Sequence, residues 1–332
     1  MIDADTVDRR EDEGIKSWPF YGIIDDMRPA MHQLRNANER MVLATLYNTD
    51  GPAPRAAGTQ MLFSRALRQG YFSGGCVEDD LARHAADVMA TGESRQIRYG
   101  QGSPWWDIRL ACGSGIDIFL EALDPDDAAL SALMEFYAHR VPCLWQSGSQ
   151  IRTCVAAPQK IPPTVIHSVP FQYTKYYEPT RRLIVFGDDP TALSLVTSAK
   201  HNGFETHLVT TNGPIEPPPI NGISYHRSPA ETVFKALQPD LWTAIVVTAH
   251  DTDLVEIILK TAFQGPIGYL GAVGSISRRA TQVGRLVASG VTASLAEQLR
   301  MPVGLAGMGK APSEVAISIM AELMQRYSAP TG

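Results

Sequence analysis

Two cysteines sit where the chain turns sharply. Cys76 lies in YFSGGCVEDDL, between an extended run and the first turn of a helical one. Cys112 lies in IRLACGSGIDIF, at a strand end before a Gly-x-Gly corner. Backbone N–H groups at a helix start favour anionic sulfur, so the thiolate of Cys76 should be more accessible than that of an ordinary cysteine. Gly74 and Gly75 precede it without side chains and let a large ligand approach the backbone. A free cysteine is most often a small buried hydrophobe, yet two thiols in glycine-rich corners of one small domain suggest a ligand site. Cys143 and Cys154 occupy strand-like stretches without such corners and are assigned to packing. No CxxC, HExxH or histidine-rich cluster occurs, so a closed zinc site is not expected.

A second constellation lies in RRLIVFGDDPTALSLVTSAKHNGFETHLVTT, residues 181–211. An apolar strand, a glycine turn, a helix and a second apolar strand make the opening βαβ of a doubly wound parallel sheet. A dinucleotide fingerprint needs glycine at set places, for a tight turn and for close approach to a pyrophosphate. Gly187 holds the first place, but Asp189 holds the second and Ala192 the third. Asp189 followed by Pro190 has the chemistry of a helix N-cap with proline at N1, which fills the anion site from within. Strand two ends at Thr210, Thr211 and Asn212, without the acid that would bind a ribose. NAD(P) is therefore not the expected ligand.

Three further segments carry weaker signals. GLAGMGKA, residues 304–311, has G-x-x-x-x-G-K spacing but ends in Ala311 where a phosphate loop needs Ser or Thr. It reads as a glycine-rich loop before a helix opened by Pro312. In GAVGSISRR, residues 271–279, Ser275 or Ser277 is placed to cap a helix carrying Arg278 and Arg279. His250 and Asp251 follow the strand TAIVVTA, at the carboxyl edge where such sheets bind ligands.

The elements that must position the thiols are short. Helical spacing runs from about Ile23 to Asn38, and MVLATLYN, 41–48, reads as a buried strand. GPAPRAAG, 51–58, must be a loop. Short strands follow at 60–64 and 70–72, then a helix over 77–91 that stops at Gly92. Further strands are expected at 95–99, 107–110 and 115–123, a helix at 126–139 and a strand pair at 142–157. The fold class is α/β. A polar tail (1–18) precedes a mixed α+β domain (19–157), a proline-rich linker (158–180) and a Rossmann-like domain (181–327).

Composition narrows the class. With 29 basic and 35 acidic residues the net charge is −6, which removes nucleic acid as a main partner. Apolar residues make up 44% and charged ones 19%, as a large buried core requires. No apolar run approaches the roughly 18 residues that span a bilayer, so no membrane is implied. Six carboxylates in the first thirteen positions are the opposite of an export signal. Four scattered cysteines fit reduced thiols in a cytoplasm rather than a disulfide framework.

These residues carry a resemblance. MVLATLYNTDGPAPRAAGTQML, YFSGGCVEDD, WWDIRLACGSGIDIFLEAL, AIVVTAHD, YLGAVGS and MPVGLAGMGKAPSEVAISIMAEL, in that order, resemble the XdhC/CoxI family of maturation factors for molybdenum hydroxylases such as xanthine dehydrogenase. The resemblance implies a cytoplasmic chaperone that binds molybdenum cofactor, as molybdopterin or its cytosine dinucleotide form, and delivers it to an apo-hydroxylase. The partners it implies are that apo-enzyme and a cysteine desulfurase or cofactor-synthesis enzyme, with a homodimer left open. Matched onto the family's motifs, the cofactor-binding residues are Arg55, Gly58, Gly74, Gly75, Cys76, Glu78, Cys112, Gly113, His250 and Asp251. Cys76 and Cys112 are then the soft contacts for molybdenum. Ser114, Ala249 and the GDDP turn depart from the family pattern. Such a carrier needs no catalytic group. The competing reading, a nucleotide-dependent oxidoreductase built on the Rossmann half, has GDDP and Thr210 against it.

Overall fold

The computed structural model describes residues 18, 20–73, 76–103, 110, 113, 115–157, 165–168 and 170–328, leaving out the side chains at 76, 165–168 and 328. The polar tail lies outside the described residues apart from Trp18. The chain divides into two units, residues 1–179 and 180–332.

Unit 1 opens with a 3-10 turn (Phe20–Gly22) and helix α1 (Arg28–Asn36). The helix starts later than its apolar spacing predicts, because Pro29 has no N–H with which to extend the ladder backwards. Then come β1 (Met41–Asp50), β2 (Gln60–Phe63), β3 (Arg68–Gly70), α2 (Cys76–Thr91), β4 (Arg95–Gly100) and β5 (Gly115–Leu123). These strands form an antiparallel sheet in the order β3-β2-β1-β5-β4. Apart from Leu110, the strand expected at 107–110 falls outside the described residues. β1 is apolar on both sides because both faces are covered. Val42, Ala44 and Leu46 pack with Val77, Leu81, Ala85 and Val88 of α2. Met41 and Leu43 face the other way, toward α1, α3 (Ala128–Ala138) and a second sheet.

That second sheet contains β6 (Cys143–Gly148), β7 (Arg152–Ala156), β8 (Val165–Ser168) and β9 (Phe171–Tyr177), ordered β7-β6-β9-β8 and antiparallel throughout. It corrects the expectation of a linker over 158–180, since two strands of unit 1 come from that segment. Pro170 sits in the turn between β8 and β9 rather than inside either strand, where it would remove a ladder bond.

A polar hub ties the two sheets together. Glu121 of β5 is fully buried and accepts from Trp145 Nε1 (3.2 Å), Ser147 Oγ (2.6 Å), Arg152 Nε (2.7 Å) and Tyr173 OH (2.8 Å). The network continues with Thr45 Oγ1 donating to Tyr173 OH (3.1 Å), Gln60 Nε2 donating to Thr45 Oγ1 (3.0 Å) and Tyr177 OH donating to Gln60 Oε1 (2.6 Å).

Unit 2 contains β10 (Arg182–Phe186), α4 (Pro190–His201), β11 (Glu205–Thr210), β12 (Ser224–Arg227), α5 (Ala230–Leu237), β13 (Thr243–Val247), α6 (Thr252–Ala262), β14 (Tyr269–Ala272), α7 (Ile276–Ala288), α8 (Ala293–Ala296) and α9 (Pro312–Ser328). Its strands are all parallel, in the order β12-β11-β10-β13-β14, so the winding reverses between β10 and β13. Leu183 and Val185 pack with α4 and α9, and Ile184 and Phe186 with α5, α6, α7 and α8. Burial on both faces explains the uninterrupted apolar strands. Among the described residues no helix is long and apolar enough to cross a membrane.

Candidate functional site

Strand register sends three connections of unit 1 off the same end of its first sheet. Asp50, the last residue of β1, pairs with Gly115, the first of β5, and Gly100 at the end of β4 pairs with the same glycine. Gln60 at the start of β2 pairs with Thr45, and Gly70 at the end of β3 with Met61. The connections 51–59, 71–75 and 101–114 therefore all leave from one end of the sheet. They carry Arg55, Gly58, Gly74, Gly75, Cys112 and Gly113, and Cys76 opens the helix that follows the second of them. Three strand spacings, about 14 Å, separate β3 from β5 across that end. Gly74, Gly75, Cys112 and the side chain of Cys76 lie outside the described residues.

The described residues show how the corners are held. Glu78, in the first turn of α2, is fully buried. Its carboxylate accepts from Phe72 N (2.8 Å), Ser73 N (2.6 Å) and Ser73 Oγ (3.3 Å). Those bonds tie the segment leaving β3, at Phe72 and Ser73, to the first turn of α2. Arg98 does the same for the third connection, donating to Gln101 O (2.8 Å), Asp117 Oδ2 (2.8 Å) and Asp50 Oδ2 (3.0 Å). Gly113 is exposed there with φ +69°, a conformation that suits glycine.

The first connection is braced from two sides. Gly58 N donates to Leu46 O (2.7 Å), and Gly58 O accepts from Lys175 Nζ of β9. Desolvation lowers the Lys175 ammonium to about 8, with Asp26 opposing and Arg28 reinforcing that shift. Arg55 pairs with Asp25, a residue of the segment before α1. In the same segment the Tyr21 ring lies 4.4 Å beneath the Arg68 guanidinium, and Arg68 also bridges to Asp79 of α2 (2.8 Å). Trp18, Phe20, Ile23 and Ile24 are exposed along it. Lys175, Asp25 and Arg68 were not among the residues selected from sequence. The readable signal for Lys175 was the alternation FQYTKYY, which places Tyr173, Lys175 and Tyr177 on one side of a strand.

Unit 2 presents a different picture at the carboxyl ends of β10 and β13. Asp189 caps α4, accepting from Ala192 N (2.8 Å), with Pro190 in the first turn as its sequence suggests. Thr248 Oγ1 donates to the same carboxylate oxygen (2.9 Å) across the reversal point. A side chain at Gly187 would meet Thr248 Oγ1 at 2.0 Å, so the turn is closed as well as capped. Asp251 caps α6 through Asp253 N (3.0 Å) and Leu254 N (3.1 Å), and His250 beside it is exposed. Ser275 caps α7. In the 304–311 loop, Glu314 accepts from Ala311 N (2.9 Å) and Glu322 from Gly304 N (2.6 Å). Protein carboxylates thus occupy amides that a phosphate would otherwise use. Among the described residues no cluster of three or more His, Cys, Asp or Glu side chains is arranged to hold a metal ion.

Comparison with known proteins agrees with this division. The model of the XdhC Rossmann domain matches residues 183–323, and that of the XdhC and CoxI family matches residues 34–100. The chain is 30% identical over 283 residues to the molybdenum cofactor insertion chaperone PaoD of Escherichia coli, covering 85% of this chain and 82% of that one. It is 27% identical over 318 residues to a probable xanthine dehydrogenase subunit of Bacillus subtilis, covering 86% and 93% respectively. A crystal structure described as a xanthine dehydrogenase from Bacillus halodurans shares the fold at TM-score 0.69 and 22% identity, over 92% of this chain and 98% of that one.

Proposed function

The chain belongs to the XdhC and CoxI family, and on that premise we propose that it carries molybdenum cofactor as cargo and inserts it into an apo molybdenum hydroxylase. The observation that carries this reading is the single sheet end of unit 1 from which the connections 51–59, 71–75 and 101–114 depart. A molybdopterin offers a terminal phosphate, a polar pterin and a metal held by sulfur. Arg55 supplies a cation for the phosphate end. The Gly58 and Gly113 corners supply approachable backbone, and Cys76 and Cys112 supply soft sulfur for the metal. Glu78, Arg98 and Lys175 hold those corners in place. His250 and Asp251, taken from the family motif, are proposed to serve ligand binding within unit 2 itself, where Asp251 also caps a helix. The carrier works in the cytoplasm, upstream of the hydroxylase and downstream of a cofactor-synthesis enzyme or cysteine desulfurase. The Asp189–Thr248 closure argues against an oxidoreductase using a dinucleotide in unit 2.

The test is reconstitution of an apo-hydroxylase with purified cofactor, with and without this protein. Faster or more complete activation, together with cofactor co-purifying with the carrier by absorbance and metal analysis, is the expected result. Equal activation without the protein, with no pterin bound to it, overturns the proposal.

A further inference from the structure

The two cysteines that sequence assigns to packing lie next to each other. In the ladder between β6 and β7, Cys143 pairs with Ala156 and Trp145 with Cys154, so the cysteines are diagonal neighbours two residues out of register. Both belong to the same buried cluster, at 1% and 8% exposure. Their thiols are hydrogen-bonded to one another, and the Arg28 guanidinium acts on Cys143. A diagonal pair in a regular ladder has Cα atoms about 7–8 Å apart, whereas a relaxed disulfide reaches about 7 Å at most. Closing this pair therefore requires a small inward shift of one strand. β7 is the strand able to make it, being five residues long and at the sheet edge, with Val155 and Ala156 exposed.

We propose that Cys143 and Cys154 form a redox-active dithiol, which a hydroperoxide closes into a strained, readily reduced disulfide between β6 and β7. The two thiols are not equivalent. Cys143 is held below the ordinary thiol range by its hydrogen bond with Cys154, against burial and with help from Arg28. The same hydrogen bond and burial push Cys154 up. Cys143 is thus the attacking sulfur and Cys154 the resolving one. The Cys143 thiolate attacks a peroxide oxygen, the O–O bond breaks, and the departing oxygen leaves as water or alcohol after taking up a proton. Cys143 is then a sulfenic acid. Cys154 next loses its proton and attacks the Cys143 sulfur; the S–S bond forms, the S–O bond breaks, and a second water leaves. Two thiols are oxidised by two electrons and one peroxide is reduced. Strain from the diagonal geometry raises the reduction potential, so the bond opens again in a thiol buffer. This assignment is independent of the carrier function and of the thiols at Cys76 and Cys112.

The test uses the full chain treated with hydrogen peroxide and digested with trypsin without reduction. Cleavage after Arg140, Arg152 and Lys160 places Cys143 in peptide 141–152 and Cys154 in peptide 153–160. The expected product is these two peptides joined, 2 Da lighter than their sum, and separated again by glutathione. In Cys154→Ser, which keeps a hydrogen-bonding hydroxyl beside Cys143 but cannot form the disulfide, dimedone should trap a sulfenic acid on Cys143; in Cys143→Ser, Cys154 should remain unlabelled. Recovery of both peptides unlinked, linkage of either to Cys76 or Cys112, or equal labelling of the two cysteines overturns the proposal. Persistence of the bond in glutathione overturns its strained character.

Discussion

The two units of this protein place their hydrogen-bonded carboxylates differently, deep in unit 1 and near the surface in unit 2. In unit 1 Glu121 sits between two antiparallel sheets and gathers four donors from strands far apart in sequence. In unit 2 Asp189, Asp251 and Glu314 each bond to amides within three residues of themselves, at helix starts. The parallel sheet needs no interior polar hub, because each crossover helix already fixes the next strand. Two stacked antiparallel sheets have no such device, and hydrogen bonds of fixed geometry supply the alignment that apolar contacts alone leave loose. The outer ends of the units differ accordingly. Unit 2 closes its own anion sites, while unit 1 braces glycine corners from behind, through Glu78, Arg98 and Lys175.

The sharpest way to break this comparison is Glu121→Ala, which leaves Arg152, Tyr173, Trp145 and Ser147 without their shared acceptor. Unit 1 should lose about 3–5 kcal/mol of stability while unit 2 keeps its own. Urea unfolding followed by hydrogen exchange in each unit measures both, and a loss near zero would mean the hub is incidental. Next in size, Arg55→Ala should weaken binding of purified molybdopterin by about 1.5–3 kcal/mol if its guanidinium holds the phosphate. Cys76→Ser, in contrast, should impair delivery to the apo-hydroxylase while melting like the parent; unchanged delivery would assign the thiol to structure. Asp189→Ala should cost unit 2 about 1–2 kcal/mol, through loss of a helix cap. If calorimetry of that variant also reveals pyrophosphate binding absent from the parent, the carboxylate is what closes the turn.

The smallest effect separates the units by pH. Lys175 binds its proton less tightly when folded (about 8) than in an unfolded chain (10.5), so unfolding takes up protons between those values. Unit 1 should therefore gain stability as pH rises through that window, relative to Lys175→Met. In unit 2 burial and the neighbouring His207 lower His226 below 6.5. Stability from that group is present above 6.5 and declines as pH falls through the lowered value, and His226→Asn should flatten the slope. Thermal melts across both ranges provide the check.

Much of this architecture could be read from local pattern. The strand 41–48, the βαβ opening and the Asp189–Pro190 cap are each set by neighbours within a few residues, which is the range over which sequence speaks clearly. What stays hidden depends on distant partners. β8 and β9 read as linker because prolines at 158, 162, 163 and 170 flank them, and β9 has its partner β6 more than twenty residues earlier. β12 is an exposed edge strand, SYHR, without the apolar run that marks its buried neighbours. In the site, Gly58 and Arg55 are visible as loop chemistry, but Asp25 and Lys175, which hold that loop, lie about 30 and 120 residues away.

The Arg55–Asp25 pair has a kinetic consequence. Asp25 is tethered to the same chain, so its carboxylate faces Arg55 at an effective concentration on the order of millimolar or more, whatever the protein concentration. Any anion that reaches Arg55 must compete with this resident carboxylate, and each time the anion lifts away Asp25 is there to take its place. Apparent affinity falls and dissociation is favoured. For a protein whose task is to hand something over, a built-in competitor shortens the residence time, so that the recipient need only bind slightly better than the carrier does.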